Sequence, residues 1–343
     1  MRPIVSSLLA AGLGLALSIY PAPARGTTAE AHVSVRIPLA SGAVARVELP
    51  AGTEVERTSS AGDSWILAGT RPVGERREIL LITGQGASGT RRTYPAPVSS
   101  SRIQAEPLPL LVSGRIAGLA WLEGAERRSY AVMAARWTGR RWTRAETIAR
   151  PGPGSQLALT AARLSDGSWL LAWAGFDGGD DEIWWSRGRP GGSWSAAARV
   201  APDNRVPDIT PALTATASGA LLAWSSFDGN DYRVVASELS GSTGSKWSAP
   251  RAIGPAGSVF PSFEPAEGSP RILYRTAAPR GWEAVELGAG TKIARRASVV
   301  ADSSERPVLS PTAAGAVTFR WPGAESAAVS AVPALSARWS EEP

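Results

Sequence analysis

Two markers recur at steps of about fifty residues, short apolar runs alternate with Gly/Asp turns, and no segment sustains a helical period. Together they predict an all-β chain, a six-bladed β-propeller with seven blades as the alternative. The first marker falls at Gly69, Trp121, Trp173, Trp224, Tyr274 and Trp321, with steps of 52, 52, 51, 50 and 47. The second, Gly-x-x-Trp, keeps phase with it at Gly139/Trp142, Gly191/Trp194 and Gly244/Trp247. A repeat of this length suits a four-stranded blade, which cannot bury both its faces alone and must stack on neighbours.

Unit three gives the pattern in detail. Strand a is expected near Leu157–Leu164, then a Ser165–Gly167 turn, strand b at Trp169–Trp173, c at about Glu182–Ser186, and d at Trp194–Val200. The b run is continuously apolar, as befits a strand covered on both faces. The Trp that opens each d strand recurs where no unit-specific function is needed, so it reads as packing between blades. Ahead of unit one, His32–Leu39 and Ala43–Leu49 form an extra hairpin, about residues 32–49. One of its strands could complete the sixth blade and protect an open edge.

The N-terminus reads as a secretion signal. Arg2 precedes an apolar run from Ile4 to Tyr20, and Ala22-Pro23-Ala24 offers a small-x-small cleavage pattern. This divides the chain into a signal peptide, 1–24, and one propeller domain, 25–343. No later run reaches ~18 apolar residues, so no transmembrane segment is expected in the mature chain. The expected location is secreted or periplasmic. No twin arginine precedes the run, which implies export unfolded and without a preloaded cofactor.

Composition removes much chemistry. There is no cysteine and one histidine, His32, which excludes disulfides, thiolate metal sites, a cysteine nucleophile and any multi-His metal centre. Apolar residues make up 43% of the chain and charged ones 19%, enough apolar content for a core. The net charge of +6 resides almost wholly in arginine, since Lys246 and Lys292 are the two lysines. Much of it comes as spaced pairs such as Arg76-Arg77, Arg140-Arg141 and Arg295-Arg296 rather than one basic run. Spaced charge discourages edge-to-edge strand pairing and does not imply a nucleic-acid partner.

The segment Gly244–Ile253, GSKWSAPRAI, resembles the end of the Asp-box (BNR) repeat of the sialidase-like propellers. Ser240, Ser242, Gly244 and Trp247 fit that spacing, with Ser242 where the family has aspartate. Units two and three keep the Gly and Trp. The resemblance covers units two to four and implies the propeller architecture. For activity it implies an arginine triad opening with Arg-Ile-Pro, a tyrosine nucleophile with a glutamate, and an aspartate acid/base. Arg36-Ile37-Pro38 matches the first part, so Arg36 is the one catalytic candidate. No tyrosine follows Tyr274, which sits at an interior marker where other units carry Trp. The catalytic set is therefore incomplete, and the resemblance supports architecture over activity.

The better lead is a pair of acidic b–c loops. Unit three carries Phe176, Asp177, Asp180 and Asp181; unit four repeats Phe227, Asp228 and Asp231 in register, 51 residues later. The connection between the units adds Asp203, Arg205 and Asp208. These residues are expected to share one corner of the loop face. Carboxylates accept hydrogen bonds from sugar hydroxyls or coordinate calcium, and a Phe offers an apolar platform. Asp177, Asp180 and Asp181 are the calcium candidates, although the loop lacks the full spacing of a known calcium loop. The competing view is that Asp-Gly makes the turn and Phe plugs the blade junction.

Three functions follow. The first is a non-catalytic module binding a glycan or an envelope protein. The second is a divergent sialidase-like exo-glycoside hydrolase, and the third a docking subunit of an envelope complex. Beyond calcium no cofactor is implied, and the oligomeric state is left open.

Overall fold

The computed structural model describes residues 32–341 apart from 100, 190, 242–245, 265–268, 289–290, 302–306, 313–315, 321–334 and 339. The expected signal peptide at 1–24, the marker Trp321 and the Asp-box positions Ser242 and Gly244 lie outside the described residues. Among those described, all 26 regular elements are strands.

After a hairpin of β1 (Val33–Pro38) and β2 (Val44–Leu49), the chain lays down successive antiparallel meanders. The first is β3 (Glu54–Ala61), β4 (Ser64–Val73), β5 (Arg76–Gln85) and β6 (Arg91–Tyr94). The second is β7 (Ile103–Val112), β8 (Arg115–Gly124), β9 (Ala131–Arg136) and β10 (Glu146–Ala149). A parallel contact between Arg77 and Ile103 joins these two into one eight-stranded sheet. The third meander is β11 (Gln156–Arg163), β12 (Trp169–Phe176), β13 (Asp181–Gly188) and β14 (Ala198–Arg199). The fourth is β15 (Asp208–Thr216), β16 (Gly219–Phe227), β17 (Tyr232–Ser240) and β18 (Arg251–Ala252). The fifth is β19 (Ser258–Glu264), β20 (Arg271–Ala277), β21 (Arg280–Leu287) and β22 (Ile293–Val300). A last sheet holds β23 (Val308–Thr312), β24 (Ala316–Arg320) and β25 (Leu335–Arg338), and β26 (Ser340–Glu341) returns to pair with β22.

Each hydrophobic cluster bridges two consecutive sheets, so the core consists of the joints between sheets. The strand-b markers fill these joints. Trp121 packs with the first meander, Trp173 with the second, Trp224 with the third and Tyr274 with the fourth, all under 2% exposed. In the last joint the equivalent buried residue is Phe319. An apolar b strand is thus required by burial on both faces. The d-strand tryptophans Trp142, Trp194 and Trp247 each bridge back to strand c and pack on the joint with the preceding meander. The fourth strands are short: β14 and β18 are two residues each, as outer edge strands can be.

The N-terminal hairpin pairs within itself, and no bond to β23–β25 is found among the described residues. Its inner face, Ile37, Leu39, Ala45, Val47 and Leu49, covers the first meander at Trp65, Leu67, Leu80 and Ile82. It therefore caps the face that no preceding meander covers.

The first strands of successive meanders touch one another, β3 with β7, β7 with β11, β11 with β15, and β15 with β19. Each carries a bulge near its start, between Val55/Arg57, Ala105/Leu108, Leu157/Thr160, Ile209/Ala212 and Val259/Ser262. Four bulges hold a non-glycine residue at positive φ: Glu106, Ala158, Thr210 and Phe260. Meanders stacked in sequence, with their bulged first strands side by side, make this chain a β-propeller.

Candidate functional site

In a meander the b–c turn and the connection from d to the next a lie at the same end. The third meander's b–c turn, residues 177–180, and the connection 200–207 therefore meet at the joint between meanders three and four. Here Asp177, Asp180, Glu182 and Asp203 converge, one oxygen from each lying within 4.8 Å of the others.

The turn explains the placement of the first two. Asp177 Oδ1 accepts from the Gly179 and Asp180 amides at 2.8 and 3.3 Å, and the Asp177 amide donates to the Asp180 carbonyl at 3.1 Å. Gly178 sits at φ 114°, which a side chain rarely adopts, so this position of the turn calls for glycine. Asp203 Oδ1 accepts from the Arg205 amide at 3.0 Å, with Arg205 itself at φ 60°. Asp203 is the most exposed of the four.

Arg199, on β14, anchors the cluster. Its guanidinium meets Asp177 Oδ2 at 2.5 Å and Asp203 Oδ2 at 3.2 Å, and its Cζ lies 5.3 Å over the Trp184 ring. Strand pairing sets this up, because Arg199 is registered opposite Trp184. Arg199 does not reach the remaining carboxylates. Asp180 is 9% exposed, Glu182 1% and Asp208 2%. Both oxygens of Asp180, Oε1 of Glu182 and Oδ1 of Asp208 are buried without any hydrogen bond.

Electrostatics follow from that burial. Desolvation, with Asp208 and Asp180 adding repulsion, pushes Glu182 up to about 7. Desolvation pushes Asp208 up to about 6, although the Ser226, Trp224 and Asn204 donors pull the other way. Desolvation and then Asp177 and Asp203 raise Asp180. Asp181 is raised by burial and by its acidic neighbours. Asp177 goes the other way, held low first by the Gly179 amide.

The other sequence-derived residues fall around this corner or apart from it. Phe176 ends β12 against Gly154, where a Cβ would come within 2.7 Å of it. Phe227 packs against Tyr232, ring centroids 5.1 Å apart and tilted by 49°. Asp228 and Asp231 sit in the fourth meander's own turn, with Asp228 bound to the Asn230 and Asp231 amides and to Arg233 at 2.7 Å. Arg36 lies on the exposed face of β1, opposite Arg46. Tyr274 is buried, its hydroxyl bonded to Glu283, which also pairs with Arg296. Burial raises its pKa first, with Glu283 second. A phenol so enclosed packs the joint between meanders four and five.

Sequence reading missed Glu182 as a site member, Arg199 and Trp184, and with them a second cluster. At the first-strand bulges, Arg57 Nη2 reaches across from β3 to the Leu159 carbonyl on β11 at 2.7 Å. Glu106 accepts from the Ala158 and Leu159 amides at 3.2 and 2.8 Å. Desolvation and the Glu106 charge push Glu56 up to about 7, against the neighbouring Arg57. Glu56 and Glu106 occupy equivalent bulges, so their 50-residue spacing was the available signal.

A cleft of about 190 Å³ opens at the other end of the joint between meanders two and three, lined by Trp169, Trp194, Arg136, Arg163, Arg189 and Glu146.

No family model matches the chain, and neither does any curated protein. Solved structures do. A protein of unknown function from Dyadobacter fermentans is 14% identical, with TM-score 0.52, over 84% of this chain and 94% of that one. The polysaccharide lyase Uly1 is 10% identical, with TM-score 0.50, over 81% of this chain and 78% of that one. A family-93 α-L-arabinofuranosidase of Fusarium graminearum is 9% identical, with TM-score 0.48, over 85% and 95%. The chain also matches a prolyl endopeptidase, at 14% identity and TM-score 0.47, but spans 39% of its length. At these identities the likeness is one of fold alone.

Proposed function

We propose that this chain is an exported, six-bladed carbohydrate-binding propeller that engages its ligand at the loop face of meanders three and four. The observation that carries the reading is the set of buried, unpartnered carboxylate oxygens on Asp180, Glu182 and Asp208. Leaving buried polar groups without a partner costs about 1–3 kcal/mol each, more when they are charged. A fold keeps such groups more readily where a ligand completes them. Carboxylates are strong acceptors for sugar hydroxyls, and Phe176, Phe227 and Tyr232 supply apolar surface beside them. The likeness to a polysaccharide lyase supports the carbohydrate class. The five four-stranded meanders and the last sheet support the six-blade reading, with the hairpin as a cap. The apolar run at Ile4–Tyr20 supports the export reading, and the Gly-x-x-Trp turns the sialidase-like one. The test is a polysaccharide and glycan array probed with the native chain and with Asp180→Asn/Glu182→Gln. Binding by the native chain that the variant loses is expected; equal binding by both removes the corner from the reading.

A second reading, a glycoside hydrolase, draws on Glu56. Glu56, held near pKa 7, lies beside Glu106, whose carboxyl accepts from two amides, and together they offer the two carboxyl groups a glycosidase uses. Under it, Glu56→Gln lowers turnover of an aryl glycoside by about 10²–10⁴-fold with the fold intact. Absence of turnover by the native chain across furanosides and pyranosides rejects it.

A further inference from the structure

We propose that Asp177, Asp180, Glu182 and Asp203 form a binding site for a calcium-like divalent cation, with Asp208 beside it. The inference rests on the reading of this corner as a ligand site and names what occupies it first.

Geometry comes first. Oxygens bound to one calcium ion at about 2.4 Å can be no more than about 4.8 Å apart. One oxygen from each of the four residues meets that limit against all the others. The donor set is entirely carboxylate oxygen, with no nitrogen or sulfur ligand, which selects a hard cation.

Partner accounting comes second. Arg199 satisfies Asp177 Oδ2 and Asp203 Oδ2 but has no bond to Asp180 or Glu182. The three buried oxygens left over, Asp180 Oδ1 and Oδ2 and Glu182 Oε1, belong to the same cluster. A carboxylate that is 99% buried and faces other carboxylates is unfavourable as an anion unless a cation joins it.

The repeat supplies an internal control. The position of Asp208 is Gln104 in the second meander and Gln156 in the third, in the same place at the start of strand a. Gln104 accepts from the Ile79 amide at 3.0 Å and Gln156 from the Trp173 indole at 2.6 Å, so in both units a neutral acceptor serves there. In the fourth meander the carboxylate replaces it, with Ser226, Trp224 and Asn204 beside it and its Oδ1 left without a hydrogen bond. Similarly Glu182, paired opposite Gly175, corresponds to Arg233, paired opposite Ser226. The propeller architecture therefore does not require acid at either position. Both changes from the neighbouring units add negative charge to a single joint.

The test uses the full chain stripped of metal, with Tb³⁺ as a luminescent calcium substitute excited through tryptophan; Trp184 stacks on Arg199 beside the cluster. Saturable emission that calcium displaces is expected. Asp180→Asn/Glu182→Gln should weaken binding by about tenfold or more, because affinity follows the count of charged ligands. Asp228→Asn/Asp231→Asn, in the matching turn of the next meander, should leave it unchanged. If the double variant at the corner loses its fold by circular dichroism, Asp180→Asn alone carries the comparison. No saturable emission up to millimolar Tb³⁺, or equal affinity in the corner variant, overturns the inference. Carbohydrate binding is measured separately on the same samples. Sugar binding without ion binding overturns the ion alone. Ion binding without sugar binding supports the ion and overturns the carbohydrate reading alone.

Discussion

The b–c turns of the third and fourth meanders are the same backbone device used to opposite ends. In each, an aspartate accepts two backbone amides, Asp177 from Gly179 and Asp180, Asp228 from Asn230 and Asp231, and an arginine closes the ring. The hydrogen bond from the first aspartate's amide to the fourth residue's carbonyl is 3.1 Å in both. What differs is the setting. The fourth meander's turn stands in solvent and ends in Arg233, so its charges are answered locally. The third meander's turn is backed by the next meander, places Glu182 where the other has arginine, and faces Asp203 and Asp208 across the joint. An Asp-Gly turn is a structural habit of this fold; the buried second layer of carboxylates is not.

Breaking the joint beneath both turns has the largest effect. Trp224→Ala should cost about 3–5 kcal/mol in chemical denaturation, since the ring is fully enclosed between meanders three and four. Next, Arg199→Ala should cost about 2 kcal/mol, because it strips the partner from Asp177 and Asp203 at a partly buried site. Arg233→Ala, its counterpart on the exposed turn, should leave the unfolding midpoint unchanged. Equal effects of the two arginine variants would erase the distinction between the turns. Smaller again, Glu182→Gln should raise stability in the metal-free chain by about 1 kcal/mol, as a buried carboxylate without a partner is replaced by a neutral amide. A loss instead would mean that Glu182 already has a counter-charge.

The cluster of Glu56, Arg57 and Glu106 at the first-strand bulges extends the comparison to another carboxyl group and is read through pH. Glu56 has a folded pKa near 7 against an ordinary 4.5, so the folded state keeps a proton that the unfolded chain gives up between those values. Its contribution to stability is therefore full below about 4.5, falls as pH rises to about 7, and changes little above that. Glu56→Gln should flatten that share of the slope, on the order of 1 kcal/mol, in denaturant titrations at pH 5 and pH 8. An identical slope in the variant would show that Glu56 is not the group that titrates.

The propeller was legible because burial of both blade faces forces large residues into one register, and Trp121, Trp173, Trp224 and Tyr274 recur where the joints need them. Strands b and c of unit three appear nearly where the sequence pattern put them, while strand d shrinks to Ala198–Arg199 because edge pairing leaves little trace in sequence. The acidic corner was half legible. Asp177, Asp180 and Asp203 stand in turn motifs that declare themselves, but Arg199 reaches them only through its pairing with Trp184, and Glu182 looked like an ordinary first residue of a strand. Glu56, Arg57 and Glu106 were hidden because a bulge decides which way they point, and nothing in an alternating pattern marks one.

The central claim is that the third meander's turn became a ligand site while the fourth remained a turn. It is tested most directly by giving the first the sequence of the second, through Gly179→Asn, Asp181→Tyr and Glu182→Arg, and measuring calcium and polysaccharide binding by titration calorimetry. The account predicts a folded protein that binds neither. A folded protein that still binds both as the native chain does would contradict it.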